Sequence, residues 1–316
     1  MSGIQFLHDV LALGVPFSVA LLLAALGENF NQRAGIFNLG CEGIMSMGAF
    51  LAFLPPWLAR ADGHNPLATL AGLALALGVG ALMGLLFGLV TVTFRAPQGI
   101  AGIGLQMLGW GVAGTIARHY VGGVTGVEGI PAWNVPFLSD IPFVGSILFR
   151  HSPLVYLAFA LVPASWWLLF RTPWGLRVRA VGTQPRAADS MGINVQRVRF
   201  QALALGGAMA GLGGAYLSLC QAKMFADDLV AGRGFIAVAL VYFGRWSPFG
   251  IMGGALLFSL AQALQLAIQV AGIKFPYELA VMLPYVLVIV VLSLAGKSRM
   301  LGPTALGKPF DREMRV

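Results

Sequence analysis

The sequence predicts an all-α fold, a polytopic bundle of about nine membrane-spanning helices (eight to ten), built as one domain over residues 1–316. Three observations carry that expectation. Of the residues 58% are hydrophobic and only 10% charged, with a mean hydropathy of +0.82, whereas soluble domains run near ~45–50% apolar and about 25% charged. Apolar runs long enough to cross a bilayer, about 20 residues each, recur from near the start almost to the end. The positive charge, +8 net with a pI near 10.0, is gathered in short segments flanking those runs. That is a topology pattern rather than a nucleic-acid-binding face, and nucleic acid is not an expected partner.

The first run, 10–27, follows MSGIQFLHD, which has no Lys or Arg and lacks the basic region of a cleavable signal, so it is expected to remain as a span. The runs at 36–54, 66–94, 99–117, 152–170, 200–220, 249–272 and 276–295 complete eight clear spans. A ninth, 232–244 (GRGFIAVALVYFG), is short and fits either a short span or a re-entrant segment. Arg171, Arg177, Arg179, Arg186, Arg197 and Arg199 cluster in a loop at 171–199, and Lys297, Arg299, Lys308, Arg312 and Arg315 in a tail at 296–316. Both segments are therefore expected to be cytoplasmic. An even number of crossings must separate them, which requires 232–244 to count and places the N-terminus outside and the C-terminus inside. The loops 118–151 and 221–233 then face outward, with Glu128, Trp133, Asp140, Asp227 and Asp228 as a mixed recognition surface.

Glycine supplies the packing signal. Gly80, Gly84 and Gly88 on one span, and Gly207, Gly211 and Gly214 on another, have the small-residue spacing that brings helix backbones into contact, within the bundle or against another membrane subunit. Cys41 and Cys220 lie in apolar stretches without metal-ligand spacing and read as buried thiols. No metal or cofactor is expected in this chain.

Two intramembrane pairs are candidates for a solute path. Asn38 and Glu42 are four apart, on one face if that stretch is helical, in the glycine-interrupted run GIFNLGCEGIMSMGAF. Either they line a path or Glu42 pairs with Arg33 and fixes packing. Gln106 and Trp110 are also four apart, an amide and an indole that could recognise a planar polar solute or simply fill the bundle. Outside the membrane, VGTQPRAADSMGINVQRVRF holds a short helix, opened by Pro185, carried by Ala187 and Ala188 and stopped at Gly192. Its exposure and clean termination suit a docking element. The triplet Gly296, Lys297, Ser298 is not a phosphate loop, because Val291 stands where its first glycine belongs. The four histidines have no zinc spacing or nucleophile partner, so the chain is not expected to be an enzyme.

Three blocks, residues 35–50, 180–219 and 232–258, together resemble the integral-membrane permease subunits of ATP-binding-cassette (ABC) importers for simple sugars, branched-chain amino acids and nucleosides, the nucleoside type most closely. The resemblance implies a permease in a bacterial plasma (inner) membrane, working with a second permease subunit, paralogous or identical, and an extracytoplasmic solute-binding protein. A separate ATPase subunit would carry ATP and Mg. It gives Arg186, Ala187, Ala188, Asp189 and Gly192 the coupling role towards that ATPase, and it makes the stretch with Asn38 and Glu42 similar to an interrupted span beside the path. A sugar importer, a stand-alone secondary transporter and a membrane scaffold are the competing expectations.

Overall fold

The computed structural model describes residues 3–60, 65–123, 125–134, 143–270 and 302–310, together with single positions between 136 and 141 and between 276 and 293. Among them, seven helices are long and apolar enough to cross a membrane. They are α1 (Gly3–Arg33), α2 (Cys41–Leu58), α3 (Pro66–Gly88), α4 (Gln98–Ile116), α6 (Pro153–Arg171), α9 (Val195–Tyr216) and α11 (Pro248–Val270). Shorter helices are α5 (Val144–Leu148), α7 (Pro173–Thr183), α8 (Pro185–Ser190) and α10 (Arg233–Phe243), and a two-residue pair joins β1 (Trp133–Asn134) to β2 (Arg150–His151). The last predicted span, 276–295, lies largely outside the described residues, as do Asp140 and most of the tail. The count of nine therefore has seven long helices and one short one behind it.

α9 is the hub of the bundle, packing on α1, α2 and α3. Its glycines point to different neighbours, and each brings backbone onto backbone. A Cβ at Gly207 would collide with the Gly80 carbonyl and one at Gly80 with the Gly207 carbonyl; Gly206 meets Gly27, and Gly211 meets Gly48 and Ala76. The small-residue spacing read from the sequence is thus used inside this chain. Without a hydrophobic drive between helices in lipid, such close approach is what makes dispersion contact favourable.

Four boundaries differ from the sequence expectation. α1 runs on through Glu28, Asn29, Asn31, Gln32 and Arg33, because Glu28 accepts hydrogen bonds from Asn31 Nδ2 (2.8 Å) and Gln32 Nε2 (3.3 Å) one turn ahead and keeps the polar turn helical although buried. The run expected at 36–54 is not one helix. Gly35, at φ +84°, takes the left-handed conformation that ends α1, and α2 starts only at Cys41. Asn38 consequently does not share a helix face with Glu42. α9 begins at Val195, capped by the Asn194 side chain on the Arg197 N–H (2.9 Å), so Arg197 and Arg199 belong to the helix rather than to a loop. Finally, α10 has 11 residues, about 16 Å of helix against a hydrocarbon core of about 30 Å, so the chain passes from Lys223, bonded to Val127, to Trp246, bonded to Arg33, only by adding the non-helical stretch before α10.

Candidate functional site

The unwound stretch between α1 and α2 lies at the centre of the candidate site. Backbone that leaves a helix while buried in protein has to find other partners, and here it does. Ala34, Gly35 and Ile36 donate back to the end of α1. Phe37 N–H donates to Gln98 Oε1 (2.8 Å), Asn38 N–H to Glu28 Oε1 (3.1 Å), and Gly40 N–H to Asn38 Oδ1 (2.9 Å). Asn38 thus closes a side-chain turn that launches α2, and its side chain is buried.

Glu42, in the first turn of α2, is fully buried and reaches across to α10. Its Oε1 accepts the Gly232 N–H (2.7 Å) and its Oε2 the Gly234 N–H (2.6 Å). These are orphan donors at a helix start, where the aligned peptide dipoles favour a negative group. Glu42 is therefore an N-cap supplied from another helix. Gly234 is required for this approach, since a Cβ there would come within 2.5 Å of the Glu42 backbone nitrogen. The alternative partner, Arg33, is engaged elsewhere: its Nε (3.1 Å) and guanidinium amino group (2.8 Å) donate to the Trp246 carbonyl.

Gln106 is buried where α4 crosses α2. Gly109 lies against the Gly43 backbone, and a Cβ on Gly43 would come within 2.6 Å of the Gln106 Cα. The structure thereby brings Asn38, Glu42 and Gln106 around the start of α2. Trp110, one turn further along α4, is 44% exposed on the open side of that helix, on the same face as Ile103 and Met107. The two members of that pair do not form one buried wall.

The short helix expected after Pro185 is present as α8. Pro185 occupies its first turn, and Gly192, at φ +82°, ends it, with its N–H on the Asp189 carbonyl (2.9 Å) and the Ile193 N–H on the Ala188 carbonyl (3.0 Å). Ala188 is buried beneath it, Asp189 is half-buried, and Arg186 and Ala187 face outward. α7 supports it from behind, anchored by Val178 and Val181 in the core and by Trp174 Nε1 donating to Gln201 Oε1 (2.9 Å).

The two segments expected to face outward are joined to each other. Val127 N–H donates to the Lys223 carbonyl (2.8 Å), Ile130 N–H to the Leu219 carbonyl (2.9 Å), and Arg118 forms an ion pair with Asp227. A recess of about 310 Å³ opens there, lined by residues including Arg60, Asn65, Thr69 and Glu128.

Sequence reasoning missed the polar turn at the end of α1. Gln32 Oε1 accepts the Trp246 indole N–H (2.9 Å), its Nε2 donates to the Val238 carbonyl (3.3 Å), and Glu28 holds Asn38. The signal was available in ENFNQR, where a carboxylate is followed three and four positions on by amides, the spacing of helical neighbours. What the sequence could not show is that the turn stays buried.

Comparison with known proteins gives one family model, described as a branched-chain amino acid transport system / permease component, matching residues 11–292. Similar relatives include the guanosine ABC transporter permease protein NupQ of Bacillus subtilis, 34% identical with all of both chains covered. The nucleoside ABC transporter permease protein NupC of Lactococcus lactis subsp. cremoris is 36% identical over 93% of this chain and 94% of its own. A Haloferax volcanii protein named "Putative glucose ABC transporter permease protein TsgC13" is 34% identical over 98% and 99%.

Proposed function

The chain belongs to the family of branched-chain amino acid transport system permease components, and from that premise we propose that it is the membrane-spanning subunit of an ATP-driven importer of nucleosides or nucleobases. The observation that carries the reading is α8, a capped helix held outside a bundle of spanning helices with Arg186 and Ala187 outward, which is what a separate ATPase needs in order to move the bundle. Arg186, Ala187, Ala188, Asp189 and Gly192 are assigned to that coupling. ATP and Mg belong to the ATPase subunit.

The nucleoside assignment is supported by two full-length relatives named for guanosine and nucleosides and by the electrostatics of α10. A half-helix N-terminus at membrane depth ordinarily attracts an anionic solute group. Here Glu42 already occupies that end, which suits an uncharged solute. Asn38, Glu42 and Gln106 are assigned to shaping the path at the start of α2, and Trp110 to stacking on a planar base from the open face of α4. Alternating closure of the ATPase would swing the helices between two openings as rigid bodies. A second permease subunit, paralogous or identical, would complete the path, and a solute-binding protein would dock on the end formed by 125–130 and 219–224. The chain would sit in a bacterial plasma membrane with the α8 end and the C-terminus in the cytoplasm and the N-terminus outside.

Affinity purification from native membranes, followed by uptake of labelled guanosine into vesicles of the purified assembly, tests the reading. The expected result is a co-purifying subunit bearing a phosphate-loop motif and ATP-dependent uptake displaced by other nucleosides. Uptake displaced only by glucose would replace the solute class. ATP-independent transport by this chain alone would overturn the importer assignment.

A further inference from the structure

The segment 302–310 near the end of the chain is pinned to the bundle by backbone and side chain at four separate places. Gly302 lies against the Trp246 indole. Ala305 is buried and donates its N–H to the Gly182 carbonyl (3.0 Å), while the Thr304 hydroxyl donates to the Thr183 carbonyl. Gly307 N–H donates to the Gly35 carbonyl (3.2 Å), and the Lys308 carbonyl accepts from the buried Arg199 guanidinium (3.4 Å). Four partially independent ties fix the backbone of a short segment with no secondary structure of its own.

Two of those ties end on Gly182 and Thr183, the last residues of α7 before α8. The consequence is a groove of about 560 Å³ with Pro185, Arg186 and Ala187 of α8 on one wall and Lys308, Pro309 and Phe310 on the other. Lys308 and Pro309 are exposed beside the exposed Arg186 and Ala187. The outer face of α8 and the facing wall of this groove are thus neighbouring exposed surfaces.

We infer that residues 302–310 form the second half of the ATPase-docking platform, holding the α8 entry in place and presenting Lys308 and Pro309 directly to the ATPase. This rests on the coupling role proposed for α8. The same segment touches the unwound stretch at Gly35, so a push on the platform reaches the start of α2 without passing through α8.

Cysteine protection tests it in a Cys220→Ser background, Cys41 being buried. Lys308→Cys, Pro309→Cys and Ala187→Cys are each expressed with the complete native assembly, and opened membranes are labelled with a membrane-impermeant maleimide before and after a urea wash that strips peripheral subunits. The expected result is severalfold slower labelling of all three sites before stripping. Protection at Ala187→Cys with equal labelling at both tail sites would overturn the platform and leave the α8 assignment standing. Absence of protection at Ala187→Cys would overturn the coupling reading, and the platform with it.

Discussion

Glu42 Oε2 accepts the backbone N–H of Gly234 at 2.6 Å, across 192 positions of sequence. That bond and its neighbour to Gly232 make the short helix α10 dependent on α2 for the start of its hydrogen-bond ladder. A half-helix of 11 residues is too short to be stable alone. Its start is thus tied to α2 by one carboxylate, while its length packs on α1 and α11.

Glu42→Ala should therefore lower stability by about 2–6 kcal/mol, since two buried N–H donors lose their acceptor and each such loss costs about 1–3 kcal/mol. Glu42→Gln retains one acceptor oxygen but turns an NH2 donor toward the other N–H, so it should lose at least half as much. Thermal unfolding in detergent, followed by size-exclusion of the fluorescently tagged protein, measures both. Wild-type melting of Glu42→Ala with transport abolished would move the residue from cap to solute contact.

Asn29 and Asn31 should separate cleanly. Asn31 Nδ2 donates to Glu28 (2.8 Å), whereas Asn29 is fully buried with neither amide atom hydrogen-bonded among the described residues. Replacing an unsatisfied buried amide by an apolar group of similar size is neutral or stabilising. Asn29→Leu should therefore melt at or above the parent temperature, and Asn31→Leu below it by an amount matching about 1–3 kcal/mol. Loss of transport in a well-folded Asn29→Leu would instead assign Asn29 to the path.

The α3 and α9 crossing makes an equally specific prediction. Gly207→Val would force a side chain into the Gly80 backbone, a contact with no flexible atom to yield, and should abolish recovery of monodisperse protein. Gly78→Val, on the same α3 but with open space around it, should be recovered at the parent level. Yield and monodispersity after mild-detergent extraction compare them. Equal recovery would mean the helices separate without consequence.

How much was legible in the sequence depends on which physics wrote each feature. The long spans follow from apolar length, and α8 from Pro185, Ala188 and Gly192, all local signals. The Gly80 and Gly207 pairing was written in small-residue spacing, though its partner was not. Asn38 and Glu42 were found as polar residues at membrane depth, but helical spacing misled. A left-handed Gly35 and a Gln98 acceptor 61 positions away open the chain there, and neither is visible in periodicity. The tail read as a basic topology marker because charge dominates its composition. Its ties to Gly182 and Gly35 use backbone groups, which carry no sequence signal.

Trp110→Ala should reduce uptake of aromatic solutes while leaving folding unchanged, because the ring is 44% exposed and its removal leaves no closed cavity. Initial uptake rates normalised to inserted protein give the comparison, and Trp110→Phe should recover part of the loss through stacking. Unchanged uptake in the alanine variant removes the residue from the path.

Gly192 decides whether α8 works as a rigid lever. Its φ of +82° is open to glycine and, at modest cost, to asparagine. Proline is confined to φ near about −65° and has no N–H for the Asp189 carbonyl. Gly192→Asn should keep near-normal transport, whereas Gly192→Pro should unwind the end of α8 and release Ala188 from its buried seat. α8 adds only Ala188 to the core, so the asparagine variant should melt at the parent temperature and the proline variant only slightly below it. ATPase stimulation by solute-loaded binding protein should persist with asparagine and vanish with proline. Persistence in both would mean that force reaches the bundle by another route, and the tail's direct contact with Gly35 becomes the leading one.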